Sequence, residues 1–177
     1  MICPTCGYDN IPGVDECTKC LASLSQEDRP TPTTQAHHII MTDPISALDP
    51  PPPICVSPEV SLVEAISELR KHNVGALLVT NAEGKLVGIF TERDVLYKVA
   101  GQVHDLPAIP ISRMMTPNPT ALKATMPVAH ALHLMALHGF RHIPIVDDDG
   151  RPKGITSFRG MVQFIGTNIV PAGAQQR

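Results

Sequence analysis

Gly88-Ile89-Phe90-Thr91-Glu92-Arg93-Asp94 is answered 66 residues later by Gly154-Ile155-Thr156-Ser157-Phe158-Arg159-Gly160. The same displacement carries Pro44-Ile45-Ser46 onto Pro110-Ile111-Ser112, and Pro51 and Pro53 onto Pro117 and Pro119. It also carries Ala65 onto Ala131, His72 onto His138 and Gly84 onto Gly150, and no gap is needed between Pro44 and Lys98. Eleven identities in 55 positions are few, yet apolar positions coincide throughout, so an internal duplication is the economical reading.

Each copy reads as β-α-β-β-α. Ser61 with Glu64 forms an S-x-x-E capping box ahead of Leu62, Ala65, Ile66 and Leu69, a spacing that predicts an amphipathic helix. Val128, Ala131, Leu132 and Met135 repeat the pattern behind Pro127, which suits a helix start. Ala76 to Thr80 and Leu86 to Phe90 flank Asn-Ala-Glu-Gly84 and read as strand, turn and strand. His142 to Val146 and Lys153 to Thr156 match them around Asp147-Asp148-Asp149-Gly150. Short helices are expected at Glu92 to Val99 and Phe158 to Phe164, and brief strands near Ile54 to Val56 and Thr120 to Leu122. A copy of about 55 residues cannot easily bury its own apolar faces, so the two are expected to pack together about a pseudo-twofold axis.

Composition sets the wider limits. The 177 residues carry 14 Lys+Arg against 17 Asp+Glu, which excludes a polycation that coats nucleic acid. Apolar residues reach 43%, but with no Trp, two Tyr and four Phe the core must be aliphatic. No apolar run approaches the roughly 18 residues of a membrane span, and the start Met-Ile-Cys has no charged leader, so a cytoplasmic protein is expected. Ser25 to His38 is rich in Gln, Glu, Asp, Pro and Thr with no apolar period, and reads as a flexible linker. The organisation expected is a cysteine-rich segment over 1–24, a linker over 25–43, the first copy over 44–100, a connecting loop over 101–109, the second copy over 110–166 and a flexible tail over 167–177.

Cys3-Pro-Thr-Cys6 and Cys17-Thr-Lys-Cys20 are two C-x2-C pairs ten residues apart. Each tight turn aims two sulfurs at one ion, and two turns complete the tetrahedron of thiolates that zinc accepts. Gly7 suits the first turn, because it takes positive φ freely while its N–H faces a sulfur. The segment resembles a zinc ribbon, and four cysteines leave no open coordination position, so the ion's role is structural. Many such ribbons bind nucleic acid, but residues 1–30 hold Lys19 and Arg29 against Asp9, Asp15, Glu16, Glu27 and Asp28, the wrong sign for phosphate. A protein contact or a merely structural role is expected instead, with loss of metal unfolding the ribbon and sparing the rest. Cys55 reads as a small buried residue within a strand.

Thr91-Glu92-Arg93-Asp94 sits where a strand gives way to a helix, a junction that suits phosphate or ribose. Asp94 has two readings: the acid of a T-x-x-D capping box, or an acceptor for both hydroxyls of a ribose cis-diol. The second copy keeps the cap residue Ser157 but has Gly160 in place of the acid.

The duplicated unit, with Gly88 to Asp94 after its third strand and Gly-Phe-Arg-His-Ile-Pro-Ile-Val-Asp at 139–147, resembles a pair of cystathionine-β-synthase (CBS) domains over residues 44 to about 165. The resemblance implies one α/β module that binds an adenosine nucleotide or adenosyl ligand between its copies and regulates another activity. It makes Asp94 the ribose carboxylate and Thr91 its neighbour, puts Arg141, His142 and Arg159 at phosphate-contacting positions, and sets Pro119, Thr120 and Ala121 along an adenine slot opposite Ile89 and Phe90. Gly160 and Gly75-Ala76 lack the corresponding groups, so one site is favoured over the other. It also implies a homodimer, for which Leu96, Val99, Val162 and Phe164 are candidate contacts.

Other signals read as structural. His130, His133 and His138 lack a flanking acid and suit packing or surface roles, Asp147 to Gly150 suits a hairpin turn, and Met114-Met115 suits packing in the connection. No catalytic constellation is present, so no enzyme is expected. The leading function is a regulatory module that senses an adenosine ligand and engages a protein partner through its ribbon. The alternatives are a ligand-gated nucleic-acid binder acting through the ribbon, and a ligand-free dimerising scaffold.

Overall fold

A computed structural model describes residues 3, 5–11, 14–24, 40–100 and 105–169. The linker over 25–39, the first part of the connecting loop at 101–104 and the tail from 170 lie outside the described residues. Strands β1 (Cys55–Val56), β2 (Ala76–Thr80) and β3 (Leu86–Thr91) and helix α1 (Leu62–His72) build the first copy. Its second helix is α2 (Glu92–Asp94), which runs on into a π-helical stretch, Val95–Val99. Then come β4 (Thr116–Pro117), α3 (Val128–His138), β5 (His142–Val146), β6 (Pro152–Ser157) and α4 (Phe158–Ile169), which is longer than the sequence suggests.

The capping expected of α1 is present: Ser61 accepts from the Glu64 N–H while the Glu64 carboxylate accepts from the Ser61 N–H. Gly84 and Gly150 hold φ of +76° and +79° at the tips of the two hairpins, the left-handed conformation that glycine adopts without strain. One four-stranded sheet has the order β1-β2-β3-β4, and β5 with β6 forms a second. β1 runs parallel to β2 with Val56 opposite Val79, and the duplication repeats this as a parallel bridge between Leu122 and Ile145. The strand expected at Thr120 to Leu122 is reduced to that bridge for a chemical reason. In the first copy the Leu78 N–H donates to the Ile54 carbonyl, whereas Pro144 stands at the matching place and has no N–H to give.

The described chain forms two compact units, Met1–Pro50 with Ala124–Arg141 and Thr156–Arg177, and Pro51–Lys123 with His142–Ile155. Neither is a sequence repeat, because each copy's lead-in docks on the other copy's body. In the second unit Ile111 N–H donates to Val60 O, Ser112 N–H to Pro58 O, and Leu62 N–H to Ile109 O. In the first, Ile45 N–H donates to Met126 O, Ser46 N–H to Ala124 O, and Val128 N–H to Asp43 O, each bond displaced by 66 residues. Ile45 and Ile111, both fully buried, are the apolar pegs of this exchange.

The core of the second unit gathers Leu62, Ala65 and Leu69 of α1 with Leu77, Val79 and Phe90 of the sheet, Val99 and Ile111. Met114 and Met115 pack against it as expected. Val99, a candidate for a subunit contact, belongs to this core, while Leu96 beside it is exposed. Cys55 corrects another expectation: β1 is an edge strand of two residues, and with Val56 turned to the core, Cys55 faces outward and is exposed. Burial of its neighbourhood still pushes its thiol up from the usual value. Gly88 is where the core meets the connection, since a Cβ there would sit 2.2 Å from Met115 Sδ. Gly88→Ala is therefore expected to destabilise the chain by about 1–3 kcal/mol in chemical denaturation, and a Gly88→Ala/Met115→Ala double variant to recover part of that loss.

Candidate functional site

The first unit carries the four cysteines on two matching turns. Cys3 N–H donates to Tyr8 O and Gly7 N–H to Cys3 O, and fourteen residues on Cys17 N–H donates to Ala22 O and Leu21 N–H to Cys17 O. Gly7 takes φ of +71° as expected, but its N–H serves the Cys3 carbonyl, and it is Thr5 N–H that reaches the Cys3 sulfur, at 3.4 Å. Leu21 occupies the matching left-handed place, with φ of 55°.

All four sulfurs lie within 4.8 Å of one another, with Cys3–Cys20 at 3.8 Å and Cys6–Cys17 at 3.5 Å. Zinc–sulfur bonds of about 2.3 Å in a tetrahedron need sulfur separations of about 3.8 Å, so the cluster fits the ion. Its protonation points the same way. Burial pushes Cys17 up, but the N–H groups of Cys20 and Lys19 and the side chains of Asn10 and Cys6 outweigh it and bring the thiol down to about 6. Burial raises Cys20, to which the neighbouring thiols add, and burial likewise raises Cys6. Four crowded thiols cannot all ionise unaided, and a divalent cation removes that conflict.

This cluster is not held apart from the rest of its unit. His133 Nε2 on α3 lies 2.8 Å from the Cys20 carbonyl oxygen. His130, one turn earlier, is 2% exposed, and its Nδ1 has no hydrogen-bond partner among the described residues. Burial, then the nearby His133 and Lys19, hold its pKa down to about 4. The folded chain keeps this ring neutral while the unfolded chain, with the ordinary value of 6.5, takes up a proton. Its contribution to stability is thus complete above pH 6.5 and declines as pH falls toward about 4. A His130→Leu variant is expected to lose less melting temperature than the parent between pH 7 and pH 5, as scanning calorimetry would measure. His138 stacks on Phe140 with ring centroids 5.5 Å apart, the packing role expected of it.

The second unit carries Asp94. Thr91 caps α2, and its N–H and Oγ1 both donate to Asp94 Oδ2, at 2.9 and 2.8 Å. Oδ1 meets Lys98 Nζ at 2.7 Å, and the same ammonium donates to the Met114 carbonyl at 2.9 Å. Asp94 is only 7% exposed, so this buried carboxylate is fully engaged as a helix cap with a cation on its free oxygen. Lys98 was not visible as a partner in the sequence, although its i, i+4 spacing from Asp94 was available as a signal. His142 lies close by, its ring 3.0 Å from where a Gly75 Cβ would stand, and the Gly75 carbonyl accepts from Glu92 N–H at the start of α2. A side chain at position 75 would crowd that ring and require it to shift by a few tenths of an ångström.

Ile89 pairs with Thr116 across β3 and β4, and Asn118 N–H donates to Val87 O, which carries Pro119, Thr120 and Ala121 from β3 toward β5. Ile89 and Phe90 point to opposite faces, as successive strand residues must. Ile89 packs with Ala76 and Leu78, whereas Phe90 is fully buried in the core under α1. In the first unit Arg141 and Arg159 are exposed, the Arg141 carbonyl accepting from Phe158 N–H. Gly160 N–H donates to Ser157 Oγ, so the second copy keeps half of the capping box and no carboxylate. Asp147 accepts from the N–H groups of Asp149 and Arg151, the hairpin turn expected there.

Comparison with known proteins agrees with this geometry. The family model for the CBS domain matches residues 36–101 and again 111–166. An uncharacterised 17.7 kDa protein of Acidianus ambivalens is 34% identical over 110 residues, 62% of this chain and 65% of its own length. The chain thus spans just under two thirds of that relative. The crystal structure of the CBS domain pair of protein MJ0100 with 5′-methylthioadenosine and S-adenosyl-L-methionine is 29% identical, with a TM-score of 0.63 over 70% of this chain and 99% of that one. Protein PAE2072 from Pyrobaculum aerophilum, complexed with AMP, is 27% identical, with a TM-score of 0.62 over 70% and 98%. With two matched copies, a duplicated α/β fold and neighbours that are CBS pairs, this chain belongs to the CBS domain family.

Proposed function

We propose that this protein is a regulatory module whose CBS pair binds an adenosine nucleotide or adenosyl ligand at Asp94. The observation that carries the reading is a buried carboxylate whose Oδ1 meets, among the described residues, Lys98, a side chain 41% exposed that also donates to the Met114 carbonyl. A ribose diol takes its place by donating to the same oxygen, with Thr91 holding Oδ2 in position. The neighbours crystallised with AMP, 5′-methylthioadenosine and S-adenosyl-L-methionine support this choice of ligand class. Ile89 and the run Pro119-Thr120-Ala121 are the proposed surroundings of the adenine. His142 is proposed as a phosphate contact, and Phe90 as a core residue that supports the strand. A thermal-shift screen with AMP, ADP, ATP, S-adenosylmethionine and NAD tests the proposal. A rise in melting temperature with at least one adenosine ligand is expected, and no shift with any of them favours the ligand-free scaffold.

Cys3, Cys6, Cys17 and Cys20 are proposed to hold one structural zinc, which when bound cross-links the two turns and fixes their fold. The acidic surroundings of the ribbon favour a protein contact over nucleic acid. A homodimer is proposed through the exposed side chains Leu96 and Val162, to be checked by light scattering at micromolar concentration. No described helix is long and apolar enough to cross a membrane.

A further inference from the structure

The Cys20 carbonyl oxygen can only accept a hydrogen bond, so His133 Nε2, 2.8 Å away, carries the proton and donates. The peptide of the last cysteine is thereby fastened to the middle of α3. His130 lies on the same helix face, one turn back, and it feels the charge of Lys19, the residue next to Cys20. The second cysteine turn therefore meets α3 at the Cys20 peptide, one turn from a buried histidine whose Nδ1 has no hydrogen-bond partner among the described residues. Cys17 and Cys20 are themselves buried, at 0% and 1% exposure.

We propose that His133 is a positioning residue for the metal centre, fixing the Cys20 peptide so that metal occupancy and the order of α3 are coupled. The proposal rests on the reading of the four cysteines as a metal site. A bound ion fixes the Cys20 sulfur and with it the carbonyl that His133 grips, so loading the site holds α3 in place. Linkage makes the coupling reciprocal: whatever orders α3 tightens the metal by the same factor. The ribbon is then part of the folded unit, and removing the ion loosens α3 as well as the cysteine turns.

The test uses the full chain with Co²⁺ as probe, read by its thiolate charge-transfer absorption in competition with a chelator, and amide hydrogen exchange across residues 128–138. His133→Ala is expected to weaken Co²⁺ binding about fivefold, equivalent to about 1 kcal/mol, the usual net worth of one hydrogen bond. His133→Gln, which keeps an N–H donor, is expected to restore most of that. In the parent chain, which needs no substitution, stripping the metal is expected to speed exchange in α3, and in His133→Ala that dependence disappears. A parent that binds Co²⁺ but shows the same α3 exchange with and without it overturns the coupling alone. Equal Co²⁺ affinity in parent and His133→Ala overturns the positioning role, and a parent that takes up no Co²⁺ overturns the metal reading and this proposal together.

Discussion

A Cys17→Ser/Cys20→Ser double variant is expected to hold no zinc, against one ion per parent chain by elemental analysis, and to lose the fold of residues 3–24. The expectation follows from the donor set: four sulfurs within 4.8 Å, two of which the variant removes. What remains is a pair of thiols with no means of closing a tetrahedron. The effect is large because structural zinc contributes about 10–16 kcal/mol of apparent binding free energy, and in so small a segment that is folding free energy. Among the described residues the segment has little else to bury: apart from the cysteines, only Asn10 there is below one tenth exposure. Full retention of zinc in the double variant would remove the assignment.

Asp94→Ala is expected to lower affinity for the adenosine ligand about a hundredfold by calorimetry, since two hydrogen bonds to a carboxylate are worth about 1.5–3 kcal/mol each. The same change leaves the N-cap Thr91 but removes the N3 half of its capping box, at a cost of about 1 kcal/mol in stability, the net worth of one hydrogen bond. Asp94→Asn separates the two roles. Asparagine still accepts from the Thr91 N–H and keeps the cap, but without the charge it is expected to bind ligand nearly as poorly as alanine. Lys98→Met is expected to act in the opposite direction and tighten binding several-fold, because the ribose then displaces no ammonium from Oδ1. If Asp94→Asn and Asp94→Ala both bind like the parent, Asp94 is a cap and nothing more.

Much of this molecule was readable before any tertiary contact. Ser61 with Glu64 and Thr91 with Asp94 cap their helices as their spacing requires, since both partners lie within one turn of chain. The strands Ala76–Thr80 and His142–Val146 follow from apolar runs bounded by turn residues. Less was legible where a local pattern met a long-range partner. The exposure of Cys55 is not legible in the sequence, because strand propensity does not say which strand lies at an edge. The strand at Thr120 to Leu122 was overextended because the missing donor, Pro144, stands on a different segment.

The candidate site divides in the same way. The duplication, the four cysteines at metal-ligand spacing and the acid at position 94 are legible from the chain alone, because these are matters of residue type and spacing. Long-range folding sets the rest: each copy's lead-in docks on the other copy, Lys98 holds Asp94 while reaching Met114, and His133 grips Cys20 across 113 residues of chain. Those contacts form between groups whose own sequence neighbourhoods carry no sign of the partner. They are fixed when burial of the aliphatic core brings distant backbone carbonyls and side-chain donors together, and each buried polar group must then be satisfied by whatever lies beside it.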